Sequence, residues 1–158
     1  IIDNMKKIIP FLWFDKNLKE ITDFYMSVFP EAKLKISRPL SDTPSGEVET
    51  ATMEIFGQEL GMMTAGPMFK FTEAISFMVN CENQEEIDYY WNALTSNGGQ
   101  EGQCGWCKDK YGLSWQVIPA TLEKMLTEGT KEQSMKVTQA YMKMKKFDFK
   151  AVEEAFNS

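Results

Sequence analysis

The stretch Lys108-Asp109-Lys110-Tyr111-Gly112-Leu113-Ser114-Trp115-Gln116-Val117-Ile118-Pro119 decides how this chain is read, because it joins a turn to a strand with a polar side chain at its middle. Gly112 suits the turn. Leu113 to Ile118, rich in β-branched and aromatic residues and closed by Pro119, reads as a strand. Alternation puts Ser114, Gln116 and Ile118 on one face and Leu113, Trp115 and Val117 on the other. The second face is wholly apolar. On the first, Gln116 either pairs within the sheet, as most polar groups do, or offers a donor and an acceptor to a ligand on a concave surface.

Working outward, the chain repeats itself without a gap. Ile9-Pro10-Phe11-Leu12-Trp13 matches Ile75-Ser76-Phe77-Met78-Val79, an offset of 66 residues that also pairs Asn17 with Asn83, Glu20 with Glu86 and Tyr25 with Trp91. Each copy predicts a strand, then a helix opened by an Asn cap with Glu three positions on. The first helix carries Leu18, Ile21, Tyr25, Val28 and Phe29 on one stripe and stops at Pro30. The second carries Ile87, Trp91 and Leu94 and stops at Asn97-Gly98-Gly99. Strands are expected at 32–38, 48–56 and 59–65, then at 100–103, 106–108 and 113–118. Pro39 to Gly46 reads as a loop, either a plain connection or a flap over a pocket mouth. Each copy is thus β-α-β-β-β, and the fold class is α+β.

With 158 residues, the chain suits one domain with a sizeable core. A net charge of −6 and a pI near 4.8 disfavour nucleic acid and anionic membrane as partners. No apolar run is long enough to span a bilayer and no signal-peptide core is evident, so a cytoplasmic location is expected. The odd count of three cysteines favours thiols over a disulfide framework. Histidine is absent, which removes the commonest general base, the commonest zinc ligand and the Ser-His and Cys-His nucleophiles together.

These features resemble a known family. Two β-α-β-β-β copies, Phe24-Tyr25 in the first helix, and Cys104-Gly105-Trp106 followed by Asp109, Tyr111-Gly112 and Ser114-Trp115-Gln116 are similar to the PhnB-like group of the vicinal oxygen chelate superfamily (glyoxalase, bleomycin-resistance and dioxygenase proteins). Val137 to Ala140 and Met144 to Asp148 resemble that group's C-terminal extension. The resemblance implies a glyoxalase-like domain over residues 1–119, with modules at 6–66 and 73–119 forming curved mixed sheets around a cup, and a helical extension over 120–158.

In metal-using members of the superfamily, two side chains from each module chelate one divalent ion. The equivalent positions here are Pro10, Met62 or Met63, Ala74 or Ser76, and Gln116. One amide and one hydroxyl do not suit a hard cation, so no metal and no other cofactor is expected. The resemblance implies instead a metal-free cup binding a small organic molecule through Gln116, Ser76, Ser114, Pro10, Leu12, Met62, Met63, Trp106 and Cys104. Catalytic residues are not assigned. The alternative is an enzyme of the same superfamily (lyase, isomerase or dioxygenase type) with a weakly held metal.

The group is also labelled a demethylubiquinone methyltransferase. An adenosylmethionine site would need a glycine-rich turn after the first strand, and Phe14-Asp15-Lys16-Asn17 has no glycine. Cys104-Gly105-Trp106-Cys107 spells a C-x-x-C without the helix start of a redox dithiol or the four ligands of a zinc site, which leaves Cys107 a coincidence and Cys104 a candidate for the pocket. Glu73 is placed at the cup rim as a solvated edge carboxylate. Beyond Pro119 the pattern turns helical: 121–128 with Leu122, Met125 and Leu126, a helix capped by Thr130 and Gln133 carrying Met135, Val137, Tyr141, Met142 and Met144, and a third capped by Asp148. The tail is expected to pack on the outside or on a second subunit, and the resemblance implies a homodimer.

Overall fold

A computed structural model describes residues 6–158; residues 1–5 of the expected 1–119 domain lie outside them. The chain forms two compact units, Ile1–Lys70 and Phe71–Ser158. The first holds β1 (Phe11–Phe14), α1 (Leu18–Val28), β2 (Lys33–Thr43), β3 (Gly46–Ile55) and β4 (Gln58–Thr64), in the sheet order β1-β4-β3-β2. The second holds β5 (Ser76–Cys81), α2 (Gln84–Thr95), β6 (Gln100–Glu101), β7 (Trp106–Lys108) and β8 (Ser114–Pro119), in the order β5-β8-β7-β6. It continues through α3 (Leu122–Glu128), α4 (Lys131–Tyr141) and α5 (Phe149–Asn157). Within each sheet the first strand runs parallel to the last and the other pairs are antiparallel. Each unit therefore contains one β-α-β-β-β succession of the kind read from the repeat, and the second also holds the three tail helices.

Each helix covers one face of its own sheet. Residues directly opposite in a ladder share a face, so Leu12, Met62 and Ala51 lie together, as do Phe14 and Thr64. All five are buried. The Phe14 ring lies 6.3 Å from that of Tyr25 in α1, which identifies this as the layer beneath the helix. Leu18, Ile21, Tyr25 and Val28 of α1 are buried there, each stabilising the unit by roughly 1.5–3 kcal/mol. In the second unit Ile87, Trp91 and Leu94 of α2 are buried, and Trp91 Nε1 donates to Glu101 Oε1 at 3.2 Å. Glu101 stands opposite Cys107, and Cys107 opposite Trp115. The covered face therefore holds Cys107, Trp115, Val117, Val79 and Cys81, all buried.

The covered residues of β1 and β5 stand one residue further apart than the sequence repeat predicts: Leu12 corresponds in facing to Val79, and Phe14 to Cys81, whereas α1 and α2 keep the original offset. The extra residue sits in the turn from Phe14 to Leu18. Asn17 absorbs it in a left-handed conformation (φ 61°), a state asparagine tolerates better than most residues. That conformation removes the expected cap, and the Asn17 side chain makes no capping bond. Asn83, extended, caps α2 by accepting from the Glu86 amide at 2.9 Å.

Two other expectations change. Pro39 to Gly46 is not a loop, because β2 and β3 form one long hairpin that turns between Thr43 and Gly46, with Pro39 opposite Glu49. β2 ends the sheet, the position in which a ladder tolerates proline. The α4 stripe is also narrower than read: Val137 is buried, but Met135 and Met142 are exposed.

The turn before β8 is fastened from inside. Buried Asp109 accepts through Oδ1 from the amides of Tyr111 (2.9 Å) and Leu113 (3.2 Å), and through Oδ2 from Trp115 Nε1 (2.9 Å). Gly112, at φ 84°, closes the turn by donating to the Asp109 carbonyl. The tail docks on its own unit. The Gln84 side chain donates to the Phe147 carbonyl at 3.0 Å and accepts from the Phe149 amide at 2.7 Å, while Cys104 and Gly105 donate amides to the carbonyls of Met144 and Lys145.

Candidate functional site

The uncovered face of the second sheet gathers four of the nine residues expected at the site, Ser76, Trp106, Ser114 and Gln116. Ser76 stands opposite Ser114, Met78 opposite Gln116, Trp106 opposite Gln116 and Lys108 opposite Ser114, so these six side chains share one face. Gln116 Nε2 donates to Ser76 Oγ at 2.9 Å, leaving its amide oxygen to a further donor. Beside them lies a cavity of ≈ 220 Å³ whose lining includes Glu73, Trp106, Lys108 and Ser114 from this side and also Glu101 and Cys107. Lys108 Nζ meets Glu73 Oε1 at 2.5 Å, and this ammonium holds the Glu73 carboxyl below the usual carboxylate range. Ser114 is fully buried, and its hydroxyl is the one buried side-chain N or O atom among the described residues without a hydrogen-bond partner.

The other expected residues lie elsewhere. Leu12 and Met62 are in the layer beneath α1, 4% and 0% exposed, and offer nothing to a ligand on the open face. Pro10 precedes β1, where its carbonyl accepts from the Gly61 amide. Met63 does reach the open face of the first sheet, opposite Trp13. Next to it Phe11, 60% exposed, lies over Gly61, where any Cβ would meet the ring at 2.5 Å. Cys104 sits in a turn at φ 55° with its Sγ 3.7 Å from Met142 Sδ, against the tail rather than among the residues of the open face.

Sequence reading missed Lys108 and the Asp109 pin. Lys108 was legible in principle, since its alternation with Cys107 puts it on the Trp106 side, but only the ladder register sets it opposite Ser114.

The side chains at the positions that hold the metal elsewhere in the superfamily do not fit one. Gln116 and Ser76 are bonded to each other, Met62 is covered, and no three His, Cys, Asp or Glu side chains gather among the described residues. The thiols also separate cleanly. Cys81 and Cys107 are buried and their pKa values are pushed up to about 12, chiefly by burial and then by Glu86 and Asp109 respectively. The native protein is therefore expected to release one equivalent of chromophore from a disulfide reagent at pH 8, from Cys104, and three after denaturation. Two or more fast equivalents in the native state would contradict this layering.

Two modules of mixed four-stranded sheet, each with its helix on one face, define the glyoxalase-like class of the vicinal oxygen chelate superfamily. Within it, the chain belongs to the family described as 3-demethylubiquinone-9 3-methyltransferase, which matches residues 6–118. The tail beyond 118 is outside that match. A putative 3-demethylubiquinone-9 3-methyltransferase, PhnB protein, from Bacillus cereus is 30% identical over 73% of this chain and 100% of its own, with a TM-score of 0.64. Protein PA1353 from Pseudomonas aeruginosa is 20% identical over 73% of this chain and 98% of its own, at 0.60. The fosfomycin resistance protein FosX from Listeria monocytogenes is 19% identical over 78% and 97%, at 0.54. The last two share the fold. No curated protein matches the chain.

The fold differs from the one in which adenosylmethionine is usually bound. Both sheets are mixed rather than doubly wound and parallel, and the turn after β1 lacks the glycines that would cradle adenosylmethionine. Among the described residues no helix is long and apolar enough to cross a membrane.

Proposed function

We propose that this protein binds a small organic molecule against the open face of its second sheet, without a metal, as a homodimer in the cytoplasm. The observation that carries the reading is the Gln116–Ser76 pair: a neutral, half-buried hydrogen bond on a face that no helix of its unit covers, flanked by Trp106 and by Met78, itself 53% exposed. Such a surface combines apolar contact area with a few fixed polar groups, which is what small-molecule sites require. One FosX structure is described as complexed with Mn(II). An enzyme of that kind would need carboxylate or imidazole ligands, and the pair here supplies an amide and a hydroxyl.

An unbiased thermal-shift screen identifies the ligand class, and Gln116→Leu then tests the site. The variant should keep its fold and bind a polar ligand more weakly by roughly 1–3 kcal/mol, because a desolvated ligand group is left unpaired. Gln116→Glu should not restore stoichiometric metal, since one carboxylate is too few ligands. Undiminished binding by Gln116→Leu would place the site elsewhere. Stoichiometric metal in protein purified without chelator would favour the enzyme.

A further inference from the structure

Three side chains, Ser114, Lys108 and Glu73, meet at one end of this open face. Ser114 is fully buried and its hydroxyl has no partner, although buried polar groups are almost always bonded. Opposite it in the ladder is Lys108, so the two residues stand side by side on one face and both border the same ≈ 220 Å³ cavity. The ammonium is held by Glu73, a carboxylate 65% exposed on the segment between β4 and β5, outside any strand. An exposed ion pair of this kind is weak and exchangeable.

We propose that this cavity receives a small carboxylic acid with a compact ring, whose carboxylate takes the place of Glu73 on Lys108 and accepts a hydrogen bond from Ser114 while the ring lies against Trp106. The proposal rests on the reading of this face as a ligand wall. The sign of the charge follows from the donors. Lysine only donates, and a cation would have to expel it to reach Glu73. The other carboxylate at the cavity, Glu101, is already engaged by Lys145 at 3.6 Å and by Trp91 Nε1 at 3.2 Å. A cavity of about 150 Å³ accommodates benzene, so ≈ 220 Å³ is room enough for a single ring with a carboxylate.

The test is calorimetric titration of the full chain with benzoate, its neutral isostere benzamide and the cation benzylamine at fixed ionic strength. Benzoate should bind at least about tenfold more tightly than benzamide, and benzylamine should not bind, since only the anion satisfies both donors. Ser114→Ala should weaken benzoate by about tenfold while leaving the thermal midpoint of the free protein unchanged or higher, because it removes an unsatisfied hydroxyl. Lys108→Met should abolish binding. Glu73→Gln should tighten it by about threefold, because an internal competitor is removed.

That last sign is diagnostic: weaker binding by Glu73→Gln, or equal binding of benzamide and benzoate, overturns the proposal. So does absence of benzoate binding to both wild type and Glu73→Gln. A ligand from the screen that depends on Gln116 but tolerates Lys108→Met and Ser114→Ala would overturn it too, while leaving the broader reading of the face intact.

Discussion

Asp109→Ala is expected to destabilise the Phe71–Ser158 unit by roughly 3–5 kcal/mol, a large share of the 5–15 kcal/mol typical of a folded domain. The carboxylate is 2% exposed and accepts hydrogen bonds from two backbone amides and one indole. Alanine leaves all three donors without their acceptor in the interior, and each buried unmade bond costs about 1–3 kcal/mol. Asp109→Asn separates charge and shape from simple loss. Its amide oxygen can keep the Tyr111 and Leu113 bonds, but its NH₂ then faces the Trp115 N–H, donor to donor, at a cost of about 1–2 kcal/mol. Urea unfolding followed by tryptophan fluorescence measures both. A loss below about 1 kcal/mol for alanine would mean that the turn is held by its backbone alone.

Phe147→Ala should cost about as much, roughly 3–5 kcal/mol, and should free the tail. The ring is 1% exposed, 5.6 Å from the Tyr141 ring centroid, and rests on Gly105 so closely that a Cβ there would meet Phe147 Cε2 at 2.6 Å and the Val117 carbonyl oxygen at 2.6 Å. Removing the ring empties the joint between the tail and the turn that precedes β7. The Gln84 bonds to the Phe147 and Phe149 backbone are expected to go with it. Limited proteolysis should then cut beyond residue 129, and scanning calorimetry should show a lower midpoint. If deleting Thr130–Ser158 altogether leaves midpoint, solubility and light-scattering mass unchanged, the tail is an appendage and this account of the joint fails.

Much of the fold was legible because its signals were local and redundant. The α1 stripe from Leu18 to Val28, the β8 alternation around Gln116, and the caps at Asn83, Thr130 and Asp148 each rest on residues a few positions apart, and each stands as read. The failures came where a distant partner decides. Pro39 reads as a loop residue until it is known that β2 is the end strand. Asn17 reads as a cap by analogy with Asn83, but a cap needs extended backbone and Asn17 is left-handed.

Leu12 and Met62 were assigned to the ligand by the resemblance to the superfamily, which carries positions over without fixing which face of the strand each side chain takes. Facing in a strand has a period of two, so an error of one residue moves a side chain to the opposite face. Ser76, Ser114, Trp106 and Gln116 were placed within the module that carried the reading, and they share its open face. The Lys108–Glu73 pair and the bare Ser114 hydroxyl depend on ladder register and burial, which no motif encodes.

The extra residue in the turn after β1 also bears on how such modules change. Substitutions alter a binding wall one side chain at a time, and each intermediate must fold. Lengthening a strand-to-helix turn by one codon shifts the phase of the strand against its anchored helix, and every side chain on that strand changes sides in one genetic event. A glycine or asparagine able to turn left-handed is what makes the event survivable. A duplicated pair of modules thus holds two phases of one pattern, and a single insertion or deletion is a step by which either wall can be exchanged wholesale.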